Sequence, residues 1–245
     1  MKKFLFQKVA MLIIAVSLSV PFASNAQDKV ELSASADLVS KYVWRGANQG
    51  QGAAFQPMLG LSYKGLSLSA WGSTGISNYD AYEVDFTLGY SIGPITLALT
   101  DYYWDGHSTG YGYWKDAHHL EASAGLSIGE KFSLSLATMI GGYDPSLKKD
   151  AKDGDRNFSS YVNAGYNFTI GDATLNASIG VTPWGSSLWG KYLNDGKSNG
   201  FEIADISFKG SKSLKITESF SLPIFSQLIF SPATDSAHLV FGISF

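Results

Sequence analysis

Beyond Val30 the chain is written in segments of about ten residues in which apolar and polar side chains alternate, a period that belongs to β-strands with one face in water and one face out of it. Ala173 to Thr182 is the plainest case. Ala173, Leu175, Ala177, Ile179 and Val181 share one face, while Thr174, Asn176, Ser178, Gly180 and Thr182 share the other. The final segment, Ala237 to Phe245, repeats the pattern with Ala237, Leu239, Phe241, Ile243 and Phe245 on one side, and it ends on an aromatic residue. No stretch beyond the amino-terminal leader shows a helical period or approaches the roughly 20 apolar residues that a membrane helix needs.

Read in order, the strands are Val30 to Arg45, Ala54 to Tyr63, Leu66 to Gly72, Tyr82 to Ile92, Ile95 to Trp104 and Ala117 to Ile128. Phe132 to Ile140, Phe158 to Ile170, Ala173 to Thr182, Phe201 to about Ile216, Phe220 to Phe230 and Ala237 to Phe245 complete a set of twelve. A bulge is expected between Gly210 and Ser213, where the register is hard to follow. Five short turns, at Lys64-Gly65, Gly93-Pro94, Gly129 to Lys131, Gly171-Asp172 and Thr217-Glu218, all fall at one end, and six longer loops fall at the other. An even strand number with short turns at one end and long loops at the other is the arrangement of bacterial outer-membrane barrels, and closure satisfies every strand edge.

Aromatic residues sort to the strand ends. Tyr42, Trp44, Tyr82, Tyr103 and Phe158 fall at the loop end, and Tyr63, Tyr90, Phe132, Phe168, Phe220 and Phe245 at the turn end. Two girdles are what a membrane barrel needs at its two interfaces. A soluble sandwich would put aromatics in its core and has no reason to sort them this way. The fold class is therefore all-β: a single transmembrane antiparallel up-and-down barrel of about twelve strands, spanning residues 27–245.

The leader fits this reading. Lys2, Lys3 and Lys8 precede an apolar run from Val9 to Val20, and Ser24 and Ala26 are small residues suited to a cut before Gln27, so residues 1–26 read as a secretory signal peptide. Its removal takes three of the 18 basic residues and none of the 21 acidic ones, leaving a chain more acidic than the −3 of the whole. Such a surface does not suit nucleic acid. With no cysteine, neither disulfides nor thiolate metal sites are available.

The run from Asp37 to Ser73 carries more than strand pattern. Tyr42, Trp44, Arg45 and Gly46 form a Y-x-W-R-G motif at a strand end, followed by a loop with Gln49 and Gly52, an extended strand with Gln56, and Trp71-Gly72-Ser73 at the end of the next. This run resembles the opening of the TorF family of porins. The resemblance implies an outer-membrane barrel with a pore function. An aromatic residue closing an amphipathic last strand likewise resembles the signal that outer-membrane insertion machinery reads, which makes that machinery, through Phe245, an expected partner beside outer-membrane lipid and lipopolysaccharide.

Sorted by height, the inward-facing charges crowd the loop half of the lumen: Lys41 and Arg45, Glu83 and Asp85, His119 and Glu121, and Asp205. The turn half carries mainly Ser, Thr, Gly and Asn. Two readings follow: a charge-paired interior that only steadies the barrel, or a constriction with basic and acidic groups on different walls. A passive pore for small hydrophilic solutes or ions is the expected function, with no catalytic residue, cofactor or metal required. An outer-membrane lipid-modifying enzyme, or a barrel that displays its loops to partners, is the alternative. No G-x-S-x-G elbow and no H-E-x-x-H motif occurs, and His118-His119 at a strand start reads as girdle and rim. Asp150 to Asn157 lacks the spacing of a calcium loop and reads as a solvated surface loop able to bridge to lipopolysaccharide through cations.

Overall fold

The computed structural model describes residues 29–76, 82–105, 117–148, 150–191 and 200–245. The segment expected to be a signal peptide lies outside the described residues. The wall is a closed barrel of twelve antiparallel strands. They are β1 (Glu31–Val39), β4 (Ala54–Tyr63), β5 (Leu66–Gly75), β6 (Tyr82–Ile92), β7 (Ile95–Asp105), β8 (His118–Ile128), β9 (Phe132–Gly141), β10 (Ser160–Ile170), β11 (Ala173–Thr182), β12 (Glu202–Lys215), β13 (Ser221–Ser231) and β14 (Ser236–Ser244). Each pairs with its neighbour in sequence, and β1 closes the ring against β14. The closing seam is the shortest pairing: Asp37, Leu38 and Val39 lie opposite Ser244, Ile243 and Gly242, whereas β1 and β4 pair along the whole of Glu31 to Val39. Reciprocal backbone bonds between Ala36 and Phe245 extend the seam to the last residue.

Alternation decides which face is which. Leu32, Leu59, Leu97, Leu134, Phe208, Leu239 and Phe241 project outward and are exposed. A closed sheet that shows such a surface all round is stable only in lipid, because in water it would be an unbroken apolar patch. Tyr63, Tyr90, Phe132, Phe220 and Phe245 ring the turn end, and Tyr82, Tyr143, Phe158, Trp184 and Phe201 are exposed at the loop end.

The first strand departs from expectation. It stops at Val39, and the chain that was expected to continue up the wall to Arg45 instead turns into a separate hairpin, β2 (Val43–Trp44) and β3 (Ala47–Asn48). Arg45 and Gly46 make its two-residue turn with φ of 49° and 79°, the left-handed conformations that a type I′ hairpin turn requires. Tyr42 and Trp44 therefore belong to the lumen and not to the outer girdle. Alternation continues through Val43 and Trp44, so the pattern alone could not separate a wall strand from a short inserted hairpin.

The expected bulge between Gly210 and Ser213 is also corrected. β12 pairs with β13 without a break from Ile206 to Lys215, and Lys212 reaches Asp172 in the neighbouring turn at 2.9 Å. The irregularity lies higher, where Gly180 faces Asp205 but Val181 faces Ile203, leaving Ala204 as the extra residue. Ile203 and Ile206 both take outward register positions three residues apart, which a strand achieves only with an insertion between them. A second irregularity sits at Leu120 and Glu121, opposite Gly141 and Met139. The last of the six loop-end connections, between Ser231 and Ser236, is a tight turn with Asp235 at a φ of 50°.

Candidate functional site

The β2–β3 hairpin lies inside the loop half of the barrel and fills it. Its tip rests on the bulge of β12: a Cβ on Gly46 would come within 2.5 Å of the Ala204 carbonyl oxygen and 2.6 Å of the Ser231 hydroxyl. The contact closes only because residue 46 has no side chain. Ser231 donates to that same carbonyl at 2.7 Å, fixing the seat.

Two apolar clusters pack around the hairpin. On one side Tyr42 and Val43 lie against Val39, Ala54, Phe225, Ile229 and Val240. On the other, Trp44 and Ala47 pack with Tyr102, Met139, Trp189 and Ala204, joined by Trp104, Tyr161 and Leu188. Trp44 is the hub, with ring centres 5.6 Å from Tyr102, 5.4 Å from Trp104 and 5.2 Å from Trp189. Such edge-to-face contacts contribute beyond area alone. Trp189 comes from the loop after β11 and is fully buried. Glycine makes room on the wall as well: any side chain at Gly180 would overlap the Tyr161 hydroxyl, and any at Gly242 would overlap the Phe225 ring.

Most of the charges are paired within this plug, with Asp85 Oδ1 and His119 Nδ1 left buried without a hydrogen-bond partner among the described residues. Arg45 makes a bidentate pair with Glu121, Nη1 to Oε2 at 2.7 Å and Nη2 to Oε1 at 2.9 Å. Its guanidinium carbon lies 4.4 Å from the Trp44 ring, 4.7 Å from Tyr161 and 4.5 Å from Trp189. Tyr102 donates to Glu121 at 3.1 Å and Tyr161 to Asp205 at 2.7 Å. Glu83 accepts Trp104 Nε1 at 2.6 Å and is also bonded to Tyr42 and Asp85. Burial works against the Arg45 charge, but Glu121 more than restores it and holds the guanidinium above its ordinary range. Burial, with Glu83 and Asp85 alongside, pushes the Tyr42 hydroxyl well above its own, so it stays a donor.

Of the residues marked from sequence, Glu83, Asp85, His119, Glu121 and Asp205 are buried inward-facing wall residues. Arg45 joins them only because the hairpin folds in, and Lys41 lies in the link between β1 and β2, not on the wall. His119 is bonded to the Tyr143 carbonyl oxygen at 2.9 Å and stacks on Trp104 at 4.3 Å. Sequence reasoning missed Trp71, Tyr102, Trp104, Tyr161 and Trp189. For the four on the wall, parity held the signal: with Ile95, Leu97 and Leu99 outward, Tyr102 and Trp104 must face in. Trp189 stands in a loop, and nothing periodic announces it. Asp37 and Lys209 are further inward charges, near the middle of the lumen, with Lys209 Nζ 4.0 Å from the Phe225 ring centre.

Below the plug the lumen changes character. Ser33, Ser35, Ser62, Ser67, Ser127, Ser133, Ser135, Asn163, Asn167 and Asn176 face inward, and each is partly accessible to solvent. They are short and polar and leave the turn half a solvent-accessible cup, whereas among the described residues the plug packs the loop half.

No curated protein matches the chain. Among solved structures it is similar to the KdgM porin, with 10% identity over 86% of this chain and 98% of that one and a TM-score of 0.45. It is also similar to an outer membrane channel from Pseudomonas putida F1, with 12% identity over 92% and 98% and a TM-score of 0.39. A mutant of the Rh. blastica porin is a third, with 10% identity over 89% and 99% and a TM-score of 0.35. A family model described as a bacterial protein of unknown function (Gcw_chp) matches residues 23–198, most of the chain, and the protein belongs to that family.

Proposed function

We propose that this protein is an outer-membrane pore for small hydrophilic solutes or ions, of the kind the TorF-like run Asp37 to Ser73 suggests, and that the hairpin from Tyr42 to Gln49 is its gate. The single observation that carries the reading is the water-accessible, hydroxyl- and amide-lined turn half, which an inert barrel of this size has no need to keep empty. Lys41, Arg45, Glu83, Asp85, His119, Glu121 and Asp205 form the constriction. Its acids outnumber its bases, so the pore prefers cations.

Replacing Tyr42 to Gln49 by a short Gly/Ser link leaves the long β1–β4 pairing intact and removes the plug. In planar bilayers this variant is expected to conduct several-fold more than the wild type, by the loss of the occluding volume. Changing Glu83 and Asp85 together to Gln and Asn is expected to move its reversal potential away from cation selectivity. A plug-free barrel that is folded and silent would overturn the pore reading.

In the orientation proposed, the turns face the periplasm and the loops the exterior. A cysteine placed at Asp153 should then react with a membrane-impermeant maleimide on intact cells, and one at Gly171 should not. The opposite labelling would invert the orientation.

A further inference from the structure

The Arg45 site is built from two separable parts. Glu121 on β8, Tyr161 on β10 and Trp189 from the loop after β11 make the walls, while the guanidinium they enclose arrives on the hairpin. We propose that these walls are a binding site for small guanidinium-bearing solutes, which Arg45 occupies as a tethered guest, so that such a solute displaces the hairpin and opens the barrel. This rests on the pore reading above and names the solute class.

The shape of the site selects the cation. A carboxylate takes two parallel N–H donors from Arg45, and two wall rings, Tyr161 and Trp189, lie 4.7 and 4.5 Å from the guanidinium carbon and stay when the hairpin, with Trp44, leaves. A flat delocalised cation satisfies both demands at once, whereas an ammonium is drawn to the rings but cannot offer two parallel donors in the plane that stacks on them. The carboxylate is fixed from behind by Tyr102, so it does not depend on Arg45 for its position. The guest, by contrast, rides on a hairpin whose own backbone ladder is short, Val43 with Asn48, Trp44 with Ala47 and a Gln49 N–H to Tyr42 bond, so that side-chain packing supplies the rest of its hold, and Arg45 itself takes a left-handed φ of 49°.

A second observation points to a ligand larger than an arginine side chain. Trp189 Nε1 is buried and has no hydrogen-bond partner among the described residues. It is on the same side chain that covers the guanidinium. A free solute bearing a carbonyl or carboxylate beside its guanidinium would supply the missing acceptor, which the Arg45 side chain does not carry. When Arg45 leaves, Glu121 remains among Glu83, Asp85 and Asp205, and a buried carboxylate without its partner calls for a replacement cation.

The experiment uses the folded full-length protein, with methylguanidinium chloride as probe and sodium and tetramethylammonium chlorides as controls at equal concentration. Tryptophan fluorescence reads binding and planar-bilayer conductance reads opening. Methylguanidinium should raise wild-type conductance. It should bind Arg45→Ala about tenfold more tightly than wild type, because no tethered guest competes for the walls. Glu121→Gln should lose both responses. If Arg45→Ala loses its heat-modifiable migration on gels, the plug-free variant takes its place, since it also lacks the guest and keeps the walls. Equal responses to methylguanidinium and the controls would overturn the inference. A wild type that conducts in potassium chloride but ignores methylguanidinium overturns it while leaving the pore reading standing. Selective binding to Arg45→Ala with no conductance from any variant keeps the guanidinium site but overturns the pore reading and the opening that rests on it.

Discussion

The loop half and the turn half of the lumen are continuations of the same twelve strands, yet one is a packed core and the other a solvent-accessible cup. The wall explains part of the difference. Toward the loops, inward positions carry Tyr102, Trp104, Met139, Tyr161 and Glu121, and toward the turns the same strands carry Thr96, Ala98, Ser135, Asn163 and Ser127. Large side chains reach the axis and meet a hairpin there, while small ones stop short and leave room for water. Strand geometry sets the diameter, but the size of the inward residue at each height sets what the diameter contains. In lipid the outward apolar residues gain little by packing on one another. The plug is where this protein excludes water, and so where burial stabilises it in the way it stabilises a soluble core.

The first way to break the comparison is to remove the hub. Trp44→Ala deletes the ring shared by Tyr102, Trp104 and Trp189, and should cost about 3–5 kcal/mol of unfolding free energy, the range for truncating a large packed aromatic. Ser133→Ala in the turn half, at a position water already reaches, should stay within about 0.5 kcal/mol. Urea unfolding in lipid vesicles, followed by tryptophan fluorescence, measures both. Equal losses would mean that the hairpin is a passenger and the two halves are alike.

A smaller effect should come from the outer face, which the two halves share. Phe241 on β14 is exposed to lipid and pairs with Ser226. Phe241→Arg should cost about 2–4 kcal/mol if its side chain lies near the bilayer midplane, less toward either interface. Heat-modifiable migration and urea unfolding read the loss. A variant as stable as wild type would remove the assignment of this face to lipid.

Much of the barrel was legible because alternation reports directly on a wall with lipid on one side and water on the other. Tyr82 to Ile92 and Ala173 to Thr182 begin and end where the pattern does. The inward parity of Glu83, Asp85, Glu121 and Asp205 is legible for the same reason. The hairpin was not, since Val43 and Trp44 keep the wall's parity while belonging to no wall, and the turn at Arg45-Gly46 reads equally well as a strand end. Nor did the sequence locate the bulge at Ala204, although the spacing of Ile203 and Ile206 carries it. Partnership at the site arises from the fold: Arg45 and Glu121 are 76 residues apart, and only the inserted hairpin brings them together.

The smallest expected change in stability comes from the turn half, and there the readout moves from stability to selectivity. Ser135 faces the water-accessible cup from β9, opposite Asn163 on β10 and Gly125 on β8. A carboxylate at this height is solvated, so Ser135→Asp should leave the urea midpoint unchanged to within about 0.5 kcal/mol. In the plug-free background it should nonetheless shift the reversal potential further toward cations, because an added fixed charge in a water-filled passage acts on every ion that crosses it. Raising ionic strength should shrink the shift, since the screening length falls from about 10 Å at 0.1 M to about 3 Å at 1 M. A marked loss of stability in Ser135→Asp would show that this half is packed after all. An unchanged reversal potential in a conducting variant would show that ions do not pass this face of the cup.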